Sequence, residues 1–163
     1  MASGDLLRLS ITGQSIDPEG DGDGVEANVE EAVRLYTVSG DLGEVKANHA
    51  LGLILEFGKG FPANHAEARR RYKLSAEQDF PPGLLSYAAM VYQGKGGPED
   101  EEEAIVCFQR AAVLGCEHSA FNLGQIFMAR GANPEARQQA IYWLHRAIEL
   151  GHPQARQALS ELG

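Results

Sequence analysis

From residue 44 onward, apolar positions recur at helical rather than strand spacing. Ala47, Leu51 and Leu55 stand four apart, on one helical face, with Gly52 as a small residue beside them. The breaker "GKG" follows, then Pro62, a residue tolerated in the first turn of a helix. A second stripe, Ala68, Tyr72 and Ala76, has the same spacing, and "DFPP" from Asp79 stops it. Residues 44–79 therefore predict a helix, a short glycine turn and an antiparallel helix. One such pair cannot bury both of its faces alone, so pairs stack.

The pattern returns along the chain. "GDGVEANVEEA" from Gly22, "GKGFPANHAEA" from Gly58, "GKGGPEDEEEA" from Gly94 and "RGANPEARQQA" from Arg130 follow one another at steps of 36 residues. Ala32, Ala68, Ala104 and Ala140 keep that step. So do Tyr36, Tyr72, Phe108 and Leu144, and Gly52, Ala88 and Gly124. Gly43, Asp79, Gly115 and Gly151 keep it at the helix stops, where glycine serves as a C-cap. The register predicts an all-α solenoid: an acidic N-terminal segment over 1–24, the second helix of a partial repeat over 25–42, full repeats over 43–78, 79–114 and 115–150, and a C-terminal capping helix over 151–163. Residues 4–16 could supply a degenerate first helix.

The repeat also disposes of a rival motif. Glu19, Asp21, Asp23, Gly24 and Glu30 occupy positions 1, 3, 5, 6 and 12 of a calcium-binding EF-hand frame. The Gly-x-Gly within it recurs as "GKG" where the acids are gone, so the glycines are assigned to a shared turn. Glu at position 1 and Glu26 at position 8 also depart from the frame.

This pattern resembles the Sel-like repeat (SLR) family, α/α solenoids related to tetratricopeptide repeats. The likeness is carried by "SAFNLGQIF", "AIVCFQRAAVLG" and "AIYWLHRAIELG", within a register that runs over roughly residues 22–163. The third loop, "RGANPEA", has lost the double glycine, and the family's aromatic pair reads Arg71-Tyr72, Cys107-Phe108 and Trp143-Leu144. The resemblance implies assembly of complexes and no catalysis.

Candidate chemistry changes this little. Net charge is −9, and residues 1–31 hold eight acids and one base, Arg8, so nothing favours nucleic acid. Cys107 and Cys116 are two thiols with no export signal, read as reduced. The start "MASGDLLRLS" has neither the basic nor the apolar character of a leader, and the longest aliphatic run, "LGLIL", is too short to span a bilayer. A cytoplasmic protein is expected, with organelle import left open. The five histidines form no metal-binding pattern, and Cys116-Glu117-His118 reads as surface capping at a helix start. Cys107 reads as a packed thiol. "GKG" lacks the spacing of a phosphate loop. No cofactor and no small-molecule substrate are expected. Glu99 to Glu103 suit the first turn of a helix, and Arg69, Arg70 and Arg71 read as a solvated outer face.

The informative anomaly lies on the first helices. Residues pointing away from the partner helix should be polar, yet Leu53, Phe57, Leu85, Tyr92, Phe121 and Met128 stand there, with Lys46, His49 and Gln125. In tetratricopeptide-like solenoids this stripe lines the concave groove, which implies a partner-binding surface for a protein or peptide; burial between neighbouring first helices is the competing account. The expected function is a non-catalytic adaptor or scaffold, the alternative a dedicated inhibitor or immunity-type protein that blocks one enzyme.

Overall fold

The computed structural model describes residues 23–163. Eight helices follow in chain order: α1 (Asp23–Asp41), α2 (Val45–Phe57), α3 (His65–Ala76), α4 (Pro81–Gln93), α5 (Glu101–Val113), α6 (Glu117–Ala129), α7 (Pro134–Glu149) and α8 (Ala155–Glu161). No strand occurs among the described residues. Each helix packs on the next, and the short connections fold consecutive helices back alongside one another. The first helices of the three full repeats are α2, α4 and α6; their second helices are α3, α5 and α7. The degenerate helix proposed over residues 4–16 lies outside the described residues.

The register of small and large residues becomes the core. Ala68, Ala104 and Ala140 are fully buried, as are Tyr72, Phe108 and Leu144. Gly52 permits the closest approach of α2 to α3: a Cβ there would stand 2.5 Å from Cε1 of Tyr72. The Tyr72 hydroxyl donates to Glu56 Oε2 at 2.8 Å, which anchors the ring in that position. The starts of α3 and α5 are capped by short polar side chains. Asn64 accepts from the Glu67 amide at 3.1 Å, and Asp100 from the Glu103 amide at 2.9 Å. The stops keep their step as well. Gly43, Asp79, Gly115 and Gly151 all have positive φ, and Asp79, at 55°, is the only described non-glycine residue that does. Its carboxylate accepts from the guanidinium of Arg110 on α5.

Three sequence expectations need correction. Asp23 and Gly24 belong to α1, not to an N-terminal segment and turn, so α1 starts six residues before the position equivalent to the α3 start. Pro62, which holds the chain out of helix ahead of α3, has Glu26 as its counterpart, and Glu26 has the backbone N–H that a helix uses. Second, Arg71 is not on a solvated face; it is 4% exposed. Its guanidinium donates to Asn48 Oδ1 at 3.1 Å and to Glu67 Oε1 at 2.9 Å, and pairs with Asp41 at 2.9 Å. Asn48 in turn donates to the Gly40 carbonyl at 3.1 Å, so one side chain ties α3 to α2 and to the end of α1. Third, at Cys116 no side chain caps α6; Ser119 Oγ instead donates to the Cys116 sulfur at 3.3 Å.

Losing the double glycine reshapes the third turn. In the second repeat, Gly96 lies against the start of α3, where a Cβ would stand 2.2 Å from the His65 carbonyl oxygen. Ala132 holds the equivalent place in the third repeat and carries that Cβ. There α7 begins earlier, at Pro134, capped by Asn133. A cavity of about 440 Å³ lies between the α6–α7 connection and α5. Arg130 reaches along it to Glu101 and Glu102, at 2.5 and 2.7 Å, with its guanidinium over the Phe127 ring.

Candidate functional site

The stripe residues arise from the first helices, one set per repeat, but the structure treats them unequally. Phe57, at the end of α2, is 60% exposed. Leu53, Leu85, Tyr92, Phe121 and Met128 are half-buried and pack their inner sides on the core. Lys46 and Gln125 are exposed.

His49 is packed between repeats. Its ring stands 5.5 Å from Tyr72 and 5.6 Å from Phe80, centroid to centroid, and Nε2 lies 3.3 Å from Ser86 Oγ on α4. Burial pushes its pKa down to about 4, so the imidazole is neutral at pH 7. At the other end of the face, Phe121 stacks on His152 at 4.0 Å, and His118 meets His152 edge-on at 5.2 Å. Burial lowers the His152 pKa, with the neighbouring His118 adding to the effect and Glu117 opposing it.

Between α4 and α6 the stripe opens into a cavity of about 230 Å³. Ala89, Tyr92 and Gln93 of α4 form one wall, Asn122 and Gln125 of α6 the other, and Phe108 of α5 contributes from the same repeat. Sequence reasoning put Tyr92 and Gln125 on this surface but missed the pocket, Asn122 and Phe108. The signal was present in the aligned columns: Leu53 becomes Ala89, and Ser86 becomes Asn122, 36 residues on.

Chemistry beyond recognition finds little support. Cys107 is buried, and burial raises its thiol pKa, the opposite of what a nucleophile needs. Among the described residues, no group of three or more His, Cys, Asp or Glu is placed to hold a metal ion, and no helix is long and apolar enough to cross a membrane.

The Sel1 repeat model matches residues 19–44, 45–80, 81–116 and 118–152. Solved structures with the same fold include a Sel1 repeat protein from Oxalobacter formigenes, 24% identical, with a TM-score of 0.80 over 98% of this chain and 60% of that one. A protective antigen of uropathogenic Escherichia coli displaying an SLR fold is 21% identical, with a TM-score of 0.74 over 98% of this chain and 40% of that one. Cysteine-rich protein B of Helicobacter pylori is 19% identical, with a TM-score of 0.53 over 73% of this chain and 95% of that one. This chain thus spans less than two thirds of each of the first two. No curated protein matches it. With matched repeats running from residue 19 to residue 152, the chain belongs to the Sel1 repeat family.

Proposed function

We propose that this chain is a non-catalytic interaction module, an adaptor or scaffold that receives a protein or peptide along the face formed by its first helices. Sel1 repeat proteins are generally protein-interaction modules, and the observation that favours this face is its apolar stripe. Phe57 stands largely in solvent, and Leu85, Tyr92, Phe121 and Met128 continue the surface with half-buried side chains. Large apolar and aromatic side chains at partly desolvated positions are the groups that carry binding energy when a partner completes their burial.

The test begins with a partner recovered from the native source and identified. Replacing Phe57 and Tyr92 together by Ala should weaken its binding by about 30-fold or more, which corresponds to about 2 kcal/mol. The control is Leu42→Ala; Leu42 is 84% exposed and follows α1, off the first-helix face. Capture lost on Leu42→Ala and retained in the double variant would move the interface to another surface.

A further inference from the structure

We propose that the cavity between α4 and α6 receives one uncharged apolar side chain of a bound peptide, whose main chain is read by the amides of Gln93, Asn122 and Gln125. This deepens the proposed function and rests on its assignment of the first-helix face.

The argument comes from two junctions of the same chain in the same register. One repeat earlier, between α2 and α4, the positions equivalent to Ala89, Tyr92, Phe108 and Asn122 are Leu53, Glu56, Tyr72 and Ser86. At that junction Leu53 packs against the core, the Tyr72 hydroxyl donates to Glu56, and Ser86 meets His49. Between α4 and α6 every one of these features is missing. Ala89 lacks the isopropyl group that ends the Leu53 side chain, Phe108 has no hydroxyl, and Phe121 replaces His49. A cavity of about 230 Å³ lies beside these smaller or apolar replacements. The side chains of Gln93, Asn122 and Gln125 have no hydrogen-bonding partner among the described residues, nor does the Tyr92 hydroxyl.

The lining specifies the occupant. It contains no Asp, Glu, Lys, Arg or His, so an ionised side chain would be desolvated there without a counter-charge. The volume falls below the range of roughly 300–1,000 Å³ typical of small-molecule sites, so it suits a single side chain. Each unpartnered amide presents both a donor and an acceptor, which matches the alternating N–H and C=O groups of a peptide main chain. A leucine- or methionine-sized side chain flanked by main-chain amides meets all three conditions.

The full chain, ¹⁵N-labelled and assigned, is titrated with N-acetyl-Gly-Leu-Gly-amide and with the same peptide carrying Asp in place of Leu. The leucyl peptide should shift the side-chain NH₂ resonances of Asn122 and Gln125 and the backbone resonances of Ala89 and Ile126, with a dissociation constant on the order of millimolar. The aspartyl peptide should bind at least tenfold more weakly. Two variants take their residues from the junction one repeat earlier. Ala89→Leu fills the cavity and should abolish those shifts without lowering the melting temperature. Asn122→Ser should weaken binding severalfold while leaving the fold intact. Leucyl shifts that persist in Ala89→Leu, equal binding of the two peptides, or no shifts at the cavity would each overturn the assignment. Shifts confined to Phe57 or His118 would overturn the cavity and leave the first-helix face standing.

Discussion

His49 converts packing between repeats into a pH dependence of stability. In the unfolded chain its pKa is near the ordinary histidine value of 6.5; in the fold it is about 4, lowered by burial. A histidine with a depressed folded value binds protons in the unfolded state first. Its contribution is present above pH 6.5, is lost as pH falls toward 4, and changes no further below that. Between pH 7 and pH 5 the linkage amounts to about 2 kcal/mol of lost stability. His49→Leu removes the titration, and Leu is the residue at the same register position one repeat later, Leu85. Urea unfolding of both proteins at closely spaced pH values measures this difference. The variant's curve should be flatter by about 2 kcal/mol. The other four histidines are common to both proteins and cancel in the comparison. The His49 ring resonance should stay at its neutral position from pH 8 to pH 5.5. Parallel stability curves, or a His49 midpoint near 6.5, would refute the claim that its burial between Tyr72, Phe80 and Ser86 controls its charge.

Two further perturbations test the packing. Arg71→Met leaves the buried Asn48 carbonyl without its donor and breaks two ion pairs, so it should cost about 2–4 kcal/mol in urea unfolding, whereas Arg70→Met, at an exposed pair on the same helix, should cost about 0–1 kcal/mol; equal losses would show that the Arg71 network contributes nothing of its own. Gly96→Ala places a Cβ against the His65 carbonyl as well as in a left-handed backbone and should lower the melting temperature more than Gly115→Ala, where no atom lies within 4 Å of the new Cβ; the reverse order would mean that the turn does not dock on α3.

The helix pairs and their contacts were legible because identity repeats at one step. Ala68, Ala104 and Ala140 are each the small partner in a close helix contact, and any other size would show as a break in the column. Even the left-handed backbone of Asp79 could be read, since glycine holds the equivalent place in the other repeats. Arg71 could not be read in this way. Its burial depends on Asn48 and on the carbonyl of Gly40, which lie on other helices and leave no mark on the periodicity of α3. The early start of α1 escaped for a related reason: aligning the glycines of "GDG" and "GKG" implied a shared turn, while the residue that decides is the proline present in only one of them. The stripe residues fall on the first helices, and their graded burial depends on how neighbouring pairs seat against each other. His49, Leu85 and Phe121 occupy one column and meet three different surroundings.

The turn between α6 and α7 gives the solenoid a joint whose fastening responds to salt. The turn before α5 seats Gly96 against the backbone of His65, and Lys95 beside it pairs with Glu56 at 3.6 Å. The turn before α7 is held by Arg130 through ion pairs with Glu101 and Glu102 that are open to water. Salt weakens such exposed pairs as the screening length shrinks from about 8 Å under physiological conditions to about 3 Å at 1 M. Dissolved ions therefore tune how firmly this turn is fastened, while the apolar packing of α7 on α6 stays as it is.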